Sequence, residues 1–125
     1  FPAAHHTGEE AERVITLATE HGWKDISLAA TPYRLTRYFL NVLGAAEERK
    51  IELKLSCLTV NNIDWGRRVE KHSVIQGSVV GTGFEQLAAE LERIVDYRQR
   101  WEQREPGFAP IASIAEGLAY LQSRQ

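Results

Sequence analysis

The segment Asp25-Ile26-Ser27-Leu28-Ala29-Ala30 limits this chain more than any other. It is short, apolar and bounded by turn signals, which reads as an interior strand. Thr31-Pro32 follows at once. Threonine is a good N-cap and proline a good first helical residue, so a helix starts with no intervening loop. Leu35, Phe39, Val42 and Leu43 make its buried stripe, and Gly44 lies near its end. Ile51-Glu52-Leu53-Lys54-Leu55-Ser56-Cys57 then alternates strictly, the period of a half-buried strand. The alternation puts Cys57 on the side of Ile51, Leu53 and Leu55, as a buried small hydrophobe. A strand, a helix and a strand on such short links form a βαβ unit, with parallel strands and a right-handed crossover.

Helical signals surround this unit. Thr7 and Glu10 have the spacing of a capping box, and Ala11, Val14, Ile15 and Ala18 form the stripe behind it. Gly22 is placed to end that helix. Residues 59–82 read as a long connection, with a short helical piece over Trp65–Glu70. Thr82-Gly83-Phe84-Glu85 is a second capping box. Phe84, Leu87, Ala88, Leu91, Ile94 and Val95 stripe a long helix to about Trp101, and Glu105-Pro106-Gly107 breaks it. Ser113 and Glu116 open a last short helix through Leu118 and Leu121. Residues 83–125 thus form a helical carboxyl-terminal extension of a single α/β domain spanning 1–125.

This inventory has too few strands. Two strands make a marginal sheet, and parallel sheets take cover on both faces. Further strands are expected from sequence upstream of Phe1 or from a partner chain. The absence of methionine points the same way, because a natural product starts with one. The expected fold is therefore the carboxyl-terminal half of a three-layer, Rossmann-like parallel sheet.

Composition excludes several functions. Net charge is −2, which argues against a nucleic-acid binder, since those carry a basic face. No apolar run reaches the roughly 18 residues of a membrane span. One cysteine excludes an internal disulfide and a Cys-rich zinc site. It suits a reducing, cytoplasmic setting. His5-His6 lack a third ligand, and His21 and His72 have no supporting spacing, so no metal site is expected.

In open α/β sheets, ligands collect beyond the carboxyl ends of the strands. Thr31, Tyr33, Arg34 and Arg37 follow such an end. A helix amino terminus offers free N–H groups to an anion, and arginine adds a bidentate grip on phosphate or carboxylate. Tyr33 can stack on a base or donate its hydroxyl. Each residue also has a structural reading. Thr7 is sufficient as a cap, Glu9 is favoured in a first helical turn by the dipole alone, Tyr33 can cover the core edge, and Arg34 and Arg37 can pair with carboxylates.

Three segments together resemble the YdcF/SanA/ElyC family. His6-Thr7-Gly8-Glu9-Glu10-Ala11 resembles its Asn-Thr-x-Glu-Asn-Ala motif. Trp23 to Arg37 resembles its Trp-Lys strand followed by Thr-Ser-x-Tyr-His-x-x-Arg. Phe84–Tyr97 with Ala112–Leu118 resembles the ending of some bacterial, cytoplasmic members. The resemblance implies a Rossmann-like fold whose amino-terminal half carries a first strand with a Gly-rich turn. It also implies a nucleotide-like ligand such as S-adenosylmethionine and adds Thr7 and Glu9 to the site. The chain departs from the pattern at His6, Glu10 and Arg34, where the motifs have Asn, Asn and His. Those departures weigh on catalysis more than on binding. The expected function is binding of a nucleotide-like or phosphorylated small molecule, with no assigned reaction. A non-catalytic interaction or scaffold domain is the alternative, carried by the long helix and Trp101.

Overall fold

The computed structural model describes residues 7–60, 62, 64–69 and 81–124. The readings placed on His5, His6 and His72 lie outside them. The chain is mixed α/β, mostly helical, with a small two-stranded parallel sheet.

Helix α1 spans Thr7–His21. It already includes Thr7, which stands in the first turn and not at the capping position ahead of it. Gly22 ends the helix at φ 67°, a left-handed conformation that glycine adopts without a Cβ clash. The Trp23 N–H then donates to the Ala18 carbonyl at 2.9 Å, closing a Schellman motif.

Strand β1 spans Asp25–Ala29, helix α2 Pro32–Glu48 and strand β2 Lys54–Leu58. The two strands are parallel, with Ile26 opposite Leu55 and Leu28 opposite Cys57. The βαβ unit stands as the residue pattern predicts. Ile51 and Leu53 precede β2 because their apolar periodicity reflects packing against the core and not ladder bonding.

Arg68–Val69 form strand β3 and pair antiparallel with strand β4, Gly81–Thr82. This corrects the helical piece expected over residues 65–70. Helix α3 runs from Gly83 to Glu102 behind a complete Thr82–Glu85 capping box. Helix α4, Ile114–Ser123, starts behind an equivalent Ser113–Glu116 box.

The register puts Ile26, Leu28, Leu55 and Cys57 on one face of the sheet. Leu28 and Leu55 meet a core of Ala11, Ile15, Phe39, Leu40, Val42, Leu43, Ile94 and Ile111. Cys57 is exposed, which corrects its expected burial. Its ladder partner Leu28 is buried, so the cover at that level reaches β1 and not β2. On the opposite face Asp25, Ser27, Ala29, Lys54, Ser56 and Leu58 are all exposed. Among the described residues, helices cover one face only.

Helix α2 is buried almost all round from Arg37 to Ala46, well beyond the expected stripe. It is enclosed by the sheet, α1, α3, α4 and the 108–112 segment. Helix α3 turns Gly83, Gln86, Glu90 and Ile94 inward, so of the expected stripe Ile94 is buried as read and the rest is corrected. Phe84, Leu91 and Val95 are exposed. In α4, Gly117 and Tyr120 face inward, while Leu118 and Leu121 are exposed.

Helix α4 also closes one edge of the sheet. The Lys54 N–H donates to the Lys24 carbonyl, so Leu55, next along the ladder, points its polar groups away from β1. The Tyr120 hydroxyl accepts from the Leu55 N–H and donates to the Leu53 carbonyl, both at 2.8 Å. Arg124 donates to the Leu55 carbonyl. Replacing Tyr120 by phenylalanine keeps the ring against Phe39 but strands two backbone groups. The expected loss is about 1 kcal/mol, read from urea unfolding. The other edge, along β1, has no paired strand among the described residues.

Candidate functional site

The carboxyl end of β1 leads through Ala30 and Thr31 into α2. Thr31 holds extended backbone, φ −62° and ψ 148°, and its carbonyl accepts from the Arg34 and Leu35 N–H groups at 3.0 Å. Its side chain makes no capping bond. Among the described residues the Tyr33 N–H is therefore left open at the positive end of the helix dipole. The Arg34 guanidinium, half-buried one residue on, has no partner among the described residues.

An aromatic wall stands beside this turn. Tyr33 meets Trp65 edge-on at 6.2 Å, and Trp65 stacks on Phe84 at 5.6 Å. The Trp65 carbonyl also accepts from the Phe84 N–H. A Cβ on Gly83 would come within 3.1 Å of the Trp65 backbone, so glycine permits this close approach. Trp65 is thus a packing residue that holds Tyr33 in place. Trp101, expected as an interface anchor, packs against the core under the Arg104 guanidinium.

Arg37 lies deeper. It is 8% exposed and makes a two-pronged ion pair with Glu90, itself 2% exposed. Arg93 adds a second cation to Glu90 at 3.0 Å. Arg37 lines a hollow of about 150 Å³ with Gly8, Asn41, Tyr97 and the Gly107–Ala109 turn. Gly8 stands between Thr7 and Glu9 in the first turn of α1. The hollow therefore joins the start of α1 to the second turn of α2.

The six residues expected in the site fall into two groups. Thr31, Tyr33 and Arg34 share the first turn of α2. Arg37 shares the hollow with Gly8, the neighbour of Thr7 and Glu9. Glu90 and Asn41 are residues of this place that the motif reading missed. The available signal was polarity out of phase: Asn41 sits inside an apolar run, and Glu90 sits on the inward face of α3.

Two further cavities lie elsewhere. One, of about 730 Å³, opens between Lys24, Glu52, Lys54, Leu43, Tyr120 and Arg124, by the amino ends of the strands. That end of an open α/β sheet is not where ligands collect. The other, about 330 Å³, holds Glu47, Arg98 and Glu116. Burial raises the Glu47 carboxyl, and the Glu116 charge and a hydrogen bond between the two raise it further. Burial also pushes Glu116 up, but Ser113, Arg98 and Glu47 outweigh it and hold Glu116 low.

The two groups act in different pH windows. Glu47 takes up a proton more readily in the folded state, so its contribution is full below its usual value of 4.5 and lost as pH rises through the raised value. Glu116 contributes above its usual value and loses that contribution as pH falls through the lowered one. Above 4.5 the Glu116 contribution is constant, and the pH dependence of the pair comes from Glu47. Glu47→Gln is expected to be more stable than the parent at pH 7, with the gap closing as pH falls toward 4.5. Urea unfolding across that range checks it.

Among the described residues, no group of His, Cys, Asp and Glu could hold a metal, and no helix is long and apolar enough to cross a membrane. Comparison with protein-family models, curated proteins and solved structures gives no match.

Proposed function

We propose that this chain is a YdcF/SanA/ElyC-like domain that binds a nucleotide-like or phosphorylated small molecule, with S-adenosylmethionine as one such ligand. The observation that carries this reading is the first turn of α2. Among the described residues, an open N–H at Tyr33, an Arg34 without a partner and a Tyr33 ring against Trp65 follow directly on the end of a parallel strand. That combination suits an anionic group at the helix end and a flat group against Tyr33. Thr7, Glu9, Thr31 and Arg37 complete the site in this reading.

The reading also places this chain in a three-layer Rossmann-like sheet. The unpaired edge of β1 and the exposed far face of the sheet support further strands and a second helical layer. Calorimetric titration of the chain with S-adenosylmethionine and with nucleotides tests the binding. Tyr33→Ala and Arg34→Ala are expected to weaken it about tenfold each, since both reach the ligand and neither holds the core. Absence of binding to the parent, or unchanged affinity in both variants, would overturn it.

A second reading, a scaffold domain, is favoured by α3. Phe84 and Val95 are each 63% exposed, and with Leu91 they repeat at helical spacing on its outer side. Such a stripe suits a partner helix. Leu91→Glu with Val95→Glu is expected to abolish a complex isolated from cell extract while leaving the thermal melt unchanged. A complex that survives the pair of substitutions counts against this reading.

A further inference from the structure

We propose that the hollow between α1 and α2 is a phosphate subsite that selects an oxyanion still carrying a proton. It rests on the preceding reading only in sharing Arg37. Two sources of donors converge there. The first turn of α1 presents backbone at Gly8, where helical N–H groups have no partner within the helix. Arg37 spends Nε and Nη2 on Glu90. Nη1 therefore carries the donors left for a guest, among the described residues. Both Glu90 oxygens are engaged by guanidinium groups, so the carboxylate does not stand bare against an anion. With Arg37 and Arg93 on one carboxylate, the cluster keeps one net positive charge.

Asn41 supplies the second, independent observation. It is 3% exposed and lines the same hollow. Its Nδ2 donates to the Pro110 carbonyl at 3.1 Å, which fixes the amide orientation. Its Oδ1 is buried and has no hydrogen-bond partner among the described residues. A buried acceptor left unpaired is costly, so a guest that brings a donor is favoured here. An anion that also donates is an anion with an O–H. Hydrogen phosphate and a singly protonated phosphate monoester meet both demands. Sulfate is fully ionised near neutral pH and sets oxygen against oxygen at Asn41.

The size agrees. A water needs roughly 10–15 Å³ by the same measure, so about 150 Å³ takes a tetrahedral oxyanion with a short attached group. Tyr97, with Phe108 edge-on at 5.5 Å, walls the side away from the sheet.

Titration calorimetry with orthophosphate, glycerol phosphate and sulfate on the intact chain tests the subsite. Orthophosphate or glycerol phosphate is expected to bind at least about tenfold more tightly than sulfate, the scale on which an unpaired buried acceptor counts. Tighter glycerol phosphate identifies a monoester as the guest, and tighter orthophosphate the free ion. Arg37→Leu with Glu90→Leu replaces the ion pair by apolar side chains and is expected to lose phosphate binding. Circular dichroism reports whether that variant folds, and the phosphate-to-sulfate ratio of the parent decides the matter without it. Sulfate equal to phosphate, no saturable binding of either phosphate, or full binding by a folded double variant overturns the proposal. Phosphate binding with nucleotides silent at Tyr33 and Arg34 overturns the earlier reading alone, and the converse result overturns this one alone.

Discussion

Glu90→Ala is expected to destabilise the domain by about 3–5 kcal/mol, the largest effect of any single change considered. The substitution leaves the Arg37 guanidinium 8% exposed with its bidentate partner gone. Removing one member of a buried pair costs far more than the pair is worth, because the other charge stays out of water. Domains are commonly stable by only about 5–15 kcal/mol, so much of the reserve goes. Glu90→Leu together with Arg37→Leu removes both charges and is expected to recover most of the loss. Urea unfolding of the three chains gives the comparison. A single variant within about 1 kcal/mol of the parent would show that water reaches Arg37. Added salt should alter the parent little, since a buried pair is weakly screened.

Gly44→Ala should also destabilise, by about 2 kcal/mol. A helix interior ordinarily gains about 1 kcal/mol when alanine replaces glycine. Here the new Cβ would stand 2.7 Å from the Ala112 nitrogen and from the Ile111 Cα and carbonyl carbon. Those are backbone atoms, and the Ala112 N–H is bonded to the Leu40 carbonyl at 2.9 Å, so the segment has little freedom to retreat. Overpacking of about 3 kcal/mol outweighs the gain. Gly117→Ala is the control. Its Cβ would meet the Leu40 Cδ2 at 2.6 Å, the tip of a side chain that can rotate away. A smaller loss at Gly117 than at Gly44, by thermal or urea melts, supports the argument. Equal losses would refute it.

The sequence revealed the βαβ unit because its signals are local: an apolar run, Thr31-Pro32, and an alternation closed by Cys57. Both capping boxes behind β4 and before α4 were legible for the same reason. The inward side of α3 was not, since Glu90 reads as a solvent residue until Arg37, 53 positions away, is seen beside it. Phe84, Leu91 and Val95 read as core and lie outside. Of the candidate site, the turn at Thr31, Tyr33 and Arg34 followed from its place after a strand. The hollow did not, because it needs the start of α1, the middle of α2 and the Gly107–Ala109 turn at once. Cys57 looked buried by parity alone, and parity cannot say where the covering layer stops.

The two sides of the small sheet are unequal. Tyr120 and Arg124 engage the Leu53 and Leu55 backbone on the edge of β2, whereas among the described residues no strand pairs along the outer edge of β1. An open margin of this kind is where a further strand docks. The place that leaves room for an added strand is therefore also the place where cover is needed against fibrous growth.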